Sequence, residues 1–293
     1  MKLVTFTHDR STHNGSTRIG ALTDDGILGL EATGFEDMLA LLNAGDAGME
    51  AARKAIAAGG ECIAVDSVKL EAPVPRPGKV LAIALNYAEH VAETGSNVPP
   101  VQMWFNKQTT CVNAPFDPIH KPIASDMVDY EGELGVIIGK TCRHVPASRA
   151  FEVIAGYTIV DDVSVRDWQA RAATFQIGKS FDTHGPIGPY LVTPDEIGDP
   201  EGLALRTWVN DEIRQDSNTR HMIHKIAEQI EHLTTAFTLE PGDVLATGTP
   251  SGVGAAMKPA QFLKAGDKVR IEIENVGEIT HAVIAEPGGT RID

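Results

Sequence analysis

Short apolar runs separated by Gly, Pro, Asn and Asp recur along most of this chain, the pattern of strands joined by turns. Val4 and Phe6 start one run, residues 18–22 form another, and Thr23-Asp24-Asp25-Gly26 reads as a hairpin turn into Ile27-Leu28-Gly29-Leu30. Residues 35–42 and the Ala-rich stretch 49–58 carry helical spacing. Three prolines in Glu71-Ala72-Pro73-Val74-Pro75-Arg76-Pro77-Gly78 mark an extended linker. This divides the chain into a small α+β domain, residues 1–72, and a larger one, residues 73–293. In the larger part, strands are predicted at 80–85, 134–138, 156–160, 203–209, 244–246, 269–273 and 279–284. Residues 269–274 alternate cleanly and should have one wet face. Ile223, Ile226, Ala227, Ile230 and Leu233 follow a 3.6-residue period and predict one amphipathic helix. The class is α+β, mainly β, a barrel or sandwich.

Composition narrows the partners. The 293 residues carry a formal charge of -15, which argues against nucleic acid and anionic membrane. No apolar run is long enough to span a bilayer, and the polar start is unlike a secretory signal. Cys62, Cys111 and Cys142 lie far apart, as reduced cytoplasmic thiols would. A cytoplasmic protein is the expectation.

Two segments bring carboxylates into apolar surroundings, Val128-Asp129-Tyr130-Glu131-Gly132-Glu133-Leu134 and Ile159-Val160-Asp161-Asp162-Val163. Glu131 and Glu133 share a face if the backbone is extended, and that face leads into a buried run. Like charges entering a core need a positive partner, and a hard divalent cation such as Mg²⁺ suits oxygen ligands. From Glu-x-Glu alone, a half-exposed strand with a solvated acidic face is the more ordinary reading. His90 and Glu93, three residues apart, would share a helix face, where the carboxylate could orient the imidazole as a base. Lys179 is either solvated or a buried counter-charge for an enolate. His221 and His224 read as residues on the wet side of the Ile223 helix rather than as zinc ligands. The glycines of residues 247–254 read as a tight turn that could offer N–H groups to a carboxylate.

Taken in order, Leu85-Asn86-Tyr87-Ala88-Glu89-His90, Asp129-Tyr130-Glu131-Gly132-Glu133-Leu134, Asp162-Val163-Ser164-Val165-Arg166-Asp167, Gly178-Lys179-Ser180-Phe181-Asp182-Thr183 and residues 241–254 resemble the fumarylacetoacetate hydrolase family. The resemblance implies a mixed β-sandwich roll behind a small N-terminal α+β domain, and a homodimer. It implies Mg²⁺ or Mn²⁺ held by Glu131, Glu133 and Asp162. By the same resemblance, His90 and Glu93 activate water on a lid, and Lys179 stands beside the substrate. Lys107, Gln169 and Thr249 then bind substrate oxygens. The implied reaction is hydrolysis of a carbon–carbon bond in a 2,4-diketo acid of the acylpyruvate type. Oxaloacetate decarboxylation, hydroxymuconate-type isomerisation or lyase chemistry on the same site is the alternative, and a non-catalytic keto-acid or metal-binding protein is the rival of another class. Asp161, Asn275, His184 and His221 depart from the family pattern.

Overall fold

The computed structural model describes residues 1–7, 17–290 and 292. A mixed sheet is the spine of the molecule. Its order is Cys62–Ile63, Gly26–Gly29, Arg18–Thr23, Lys2–Thr7, Gly185–Val192, Ile154–Asp161, Gly132–Ile138, Val244–Ala246, Val80–Ala84 and Met103–Lys107. Leu3 pairs with Leu191, so the N-terminal strands extend the same sheet. The Thr5 hydroxyl donates to Pro73 O at 2.7 Å, docking the proline-rich linker onto it. Most neighbours are antiparallel, but Val244–Ala246 runs parallel to Val80–Ala84.

A second, five-stranded sheet packs across one face, in the order Glu212–Asn218, Ala204–Val209, Lys268–Ile273, Gly277–Ala285 and Ile119–Lys121. Leu134, Val136, Tyr157 and Ile159 of the first sheet and Leu205, Ile271 and Ile279 of the second form one buried core. The opposite face, with Ile137, Val160 and Leu191, buries Met38, Leu41 and Leu42 of the helix Met38–Asn43. Each burial of a side chain of this size contributes roughly 1.5–3 kcal/mol. The architecture is the expected strand-rich α+β fold.

Residues 268–273 alternate in burial as their sequence predicts. The amphipathic helix begins later than expected, at Ile226, and ends at Ala236. Ile223 is held outside it because its N–H donates to Asn86 O. His221 closes the short turn Thr219–His221 and His224 precedes the helix, so neither lies on its wet side as the periodicity suggested.

His184, one of the unusual residues, is fully buried and stacks on Phe181. Its Nε2 is 2.7 Å from His120 O, which fixes a neutral, Nε2-protonated ring. Burial pushes its pKa down to about 4. Between about pH 6.5 and this value an unfolded chain takes up a proton that the folded chain refuses. Stability from this site is therefore complete above about pH 6.5 and falls, by up to about 3 kcal/mol, as pH drops to about 4. Urea unfolding across that window should show a steeper loss for wild type than for His184→Asn; parallel curves would remove His184 as the source.

Candidate active site

Two strands of the large sheet bring three acids together beside a cavity of about 520 Å³, which Glu131 and Glu133 line. Strand Gly132–Ile138 carries Glu133, the residue before it is Glu131, and Asp162 follows strand Ile154–Asp161. Oxygens of Glu131, Glu133 and Asp162 lie within 4.8 Å of one another, all three side chains being buried. The strand pairing Gly132↔Asp161 brings the two carboxylate motifs into register. Gly132 packs directly under the second sheet: a Cβ there would lie 2.5 Å from Thr207 Oγ1. A small residue between the two glutamates is thus a packing requirement.

The neighbouring cations divide these carboxylates unevenly. Lys179 Nζ lies 2.6 Å from Glu131 Oε2 and 2.7 Å from Asp162 Oδ2. Lys179 is buried rather than solvated, and its partners are the protein's own carboxylates. Burial would lower its pKa, but Asp162 and Glu131 outweigh burial and hold the ammonium charged. Arg166 Nη1 lies 2.6 Å from Glu131 Oε1, while its Nε and Nη2 grip Asp129 Oδ2 at 2.9 and 2.8 Å. Burial opposes ionisation of Glu131, yet Lys179 and Arg166 hold its carboxyl well below the usual range. Glu133 has the opposite fate. Burial, then Asp162 and Glu131, push its carboxyl well above the usual range. The N–H of Gly248, at 2.7 Å, is its hydrogen-bond donor.

Lys107 Nζ donates to Asp162 Oδ1 at 2.7 Å and to Val163 O at 3.3 Å. It supports the acidic cluster from outside the residues that line the cavity. Gln169 and Thr249 do line it. Gln169 Oε1 accepts from Arg166 at 3.0 Å, and the Thr249 hydroxyl donates to Gly132 O and accepts from Gln215 Nε2. Segment 176–179 reaches the cavity by lying on the Arg166–Gln169 helix, where a Cβ at Gly178 would be 2.2 Å from Gln169 N.

Opposite the cluster, helix Ala88–Glu93 presents His90 and Glu93 to the same cavity. Glu93 Oε1 is 2.7 Å from His90 Nδ1, which leaves Nε2 as the ring nitrogen for a substrate. Glu93 is itself fixed, accepting from the Gly252 N–H at 2.8 Å. The helix is entered through Leu85 in the left-handed region, φ 56°, a conformation that L residues adopt at a cost of order 1 kcal/mol. Asn86 clamps this entry, donating to Thr247 O and His224 O and accepting from His224 N. Beyond Glu93, residues 94–98 are largely exposed, with Gly95 at φ 68°. A clamped root and an exposed tip suit a lid. Hydrogen exchange at 94–98 should slow when oxalate and Mn²⁺ are added together; equal exchange with and without them would mean a rigid rim.

The glycine-rich stretch 247–254 is a crossover rather than the tight turn its composition suggested. Its N–H groups serve the protein's own acids: Gly248 for Glu133, Gly252 for Glu93, and Gly254 with Ala255 for Asp129 at 2.8 and 2.9 Å. Asp161 Oδ1 accepts from Glu131 N at 2.9 Å, and its Oδ2 meets His281 Nε2 at 2.8 Å. Asp129 and Asp161 thus brace the backbone around Glu131, accepting from Tyr130 N and Glu131 N. Arg166, His281 and Gln215 are site residues that sequence reasoning did not single out. Arg166 stood inside a quoted motif, the one arginine between Asp162 and Asp167; His281 and Gln215 carry no local signal.

The chain belongs to the fumarylacetoacetate hydrolase family: the model of the fumarylacetoacetate (FAA) hydrolase C-terminal region matches residues 79–284. A mitochondrial oxaloacetate tautomerase of Rattus norvegicus is 43% identical over 248 residues, 84% of this chain and 79% of that protein. A maleylpyruvate hydrolase from Sphingobium sp. SYK-6, solved with manganese(II) and pyruvate, is 33% identical, with TM-score 0.80, covering 97% of this chain and 99% of that one. A fumarylacetoacetate hydrolase from psychrophilic Exiguobacterium antarcticum is 32% identical, with TM-score 0.82, covering 98% of this chain and 100% of that one. Hydrolases and tautomerases thus share this fold, and a buried acidic triad able to coordinate a divalent cation is present here. Among the described residues no helix is long and apolar enough to cross a membrane.

Proposed function

We propose that the protein interconverts the keto and enol forms of a short 2-oxo diacid such as oxaloacetate, using a divalent cation at Glu131, Glu133 and Asp162. The observation that carries this is the His90–Glu93 pair facing the acidic cluster across one cavity. Similarity to the rat tautomerase favours this reading over the carbon–carbon hydrolysis that the motifs alone suggested.

The donor set fits a hard cation. All the oxygens come from carboxylates, and Glu133 sits beside two other acids with no side-chain cation bonded to it among the described residues. Mg²⁺ and Mn²⁺ both suit such a shell, and when bound either would supply Lewis acidity towards a 2-oxo group. The reaction moves one proton from carbon 3 to the carbonyl oxygen and neither gains nor loses atoms. His90 Nε2 is the group for the carbon-bound proton, and Glu93 holds its ring and supports the imidazolium. The ammonium of Lys179, fixed by two carboxylates, favours negative charge growing on the oxygen. The family resemblance extends the proposal to a homodimer, whose mass light scattering would measure.

Loss of the enol's ultraviolet absorbance, followed with Mg²⁺ or Mn²⁺ and after chelation, tests the reading. Catalysed decay that stops on chelation is expected; decay no faster than buffer would overturn it. A second reading, hydrolysis of an acylpyruvate, draws on the maleylpyruvate hydrolase likeness, since the same dyad could take a proton from water. Release of pyruvate from an acylpyruvate, measured in parallel, separates the two.

A further inference from the structure

We propose that Lys258 recognises the far carboxylate of the substrate and so selects 2-oxo diacids over 2-oxo monoacids; this rests on the tautomerase reading above. Four side chains lining the cavity can carry positive charge: His90, Arg166, Lys179 and Lys258. Three already face acids of the protein. His90 meets Glu93, Arg166 meets Asp129 and Glu131, and Lys179 meets Glu131 and Asp162. Lys258 has no hydrogen-bond or ion-pair partner among the described residues.

Its place is fixed through the same network that shapes the acidic cluster. Gly254 N and Ala255 N donate to Asp129, the carboxylate that also holds Arg166, so the loop bearing Lys258 is tied to the wall bearing Glu131. Gln261 N closes that loop onto Gly254 O at 2.9 Å. Much of the remaining wall is apolar, with Ile83, Leu85, Phe105, Phe175, Val253 and Met257, and its other polar members, Thr94, Ser96, Gln169 and Thr249, carry no charge. A diacid whose 1-carboxylate and oxo group turn to the acidic cluster must put its second carboxylate against that wall. Desolvating it there without a partner is costly, and Lys258 is the cation free to meet it. An exposed lysine on a mobile stem can also follow the substrate as it enters, which matters in a chain of net charge -15.

The experiment measures equilibrium binding to the Mn²⁺-loaded protein of three stable probes: N-oxalylglycine, its glycine-end methyl ester, and oxalate. Wild type should prefer the free diacid to the ester by roughly 10-fold or more, the worth of a charge-assisted hydrogen bond. In Lys258→Met that preference should vanish while oxalate and the ester bind as before, and Lys258→Arg should restore most of it. A preference that persists in Lys258→Met overturns the assignment, as does equal weakening of all three probes, which would mean a collapsed loop. If enol decay is not catalysed but the Lys258-dependent preference holds, the tautomerase reading fails and the diacid site stands. If enol decay is catalysed and the preference ignores Lys258, only this inference fails.

Discussion

Glu133→Ala is expected to weaken Mn²⁺ binding by roughly 10²-fold or more, the largest effect of any single change on the cation. Glu131 and Asp162 share Lys179, and Arg166 and Lys107 each grip one of them, so both acids remain partly neutralised whatever the cation does. Glu133 has a single backbone N–H. Because burial and the two neighbouring acids raise its pKa, it keeps a proton to higher pH than an ordinary carboxyl, and below that pKa the cation must displace it. Affinity should therefore rise with pH, by up to about tenfold per unit below the pKa of Glu133, until that carboxyl is ionised. In Glu133→Ala both the affinity and most of this pH dependence should disappear. The cation-free variant should resist urea at least as well as wild type, since a crowded acid has been removed. Calorimetric titration at two pH values measures all of this, and unchanged affinity would take Glu133 out of the shell.

The uneven neutralisation has a structural origin that sequence could carry only in part. Acids inside apolar runs stand out because ordinary packing avoids them, so the two acidic segments were legible, while the choice of Glu131, Glu133 and Asp162 within them came from the family resemblance. Their counter-ions were not, because the pairs join distant segments: Arg166 to Asp129 across 37 residues, His281 to Asp161 across 120. The fold behaves in the same way. Strand Val244–Ala246, an unbroken apolar run, was predicted to the residue. Strand Gly185–Val192 was missed, because Gly185-Pro186-Ile187-Gly188-Pro189 has the composition of a loop. It lies inside the sheet all the same, and a register shift at Tyr157/Ile159 on the neighbouring strand interrupts the ladder beside Pro189. Glu212–Asn218 was also missed. It is a polar edge strand, and edge strands carry charge to discourage further pairing. Met103–Lys107 ends in Asn106 and Lys107, polar residues that a strand reading rejects, yet Lys107 is buried because it serves Asp162. At both the site and the sheet, the illegible residues are those whose partners arrive from elsewhere in the chain.

His90→Ala should lower kcat for enol–keto interconversion by about 10²- to 10⁴-fold, the usual worth of a general acid–base group. Its ring has one nitrogen committed to Glu93, 2.7 Å away, so the other is the only position from which it can reach a substrate. Mn²⁺ affinity should stay near that of wild type, because His90 is not one of the three clustered acids. KM should change little, since the cavity keeps Lys179, Arg166 and Lys258 for binding. Deuterium at carbon 3 should give a larger isotope effect on kcat in the variant, where proton transfer becomes slower than product release. Glu93→Gln preserves shape but removes the charge supporting an imidazolium, and its loss should be smaller than that of His90→Ala. Were Glu93→Gln the more damaging change, Glu93 itself would be moving the proton. Loss of cation binding in His90→Ala, with the fold intact, would place the imidazole in the metal shell instead. Unchanged kcat in both variants would leave the dyad a structural clamp on the lid, tied by Glu93 to Gly252, and the proton transfer would have to be sought at Lys179.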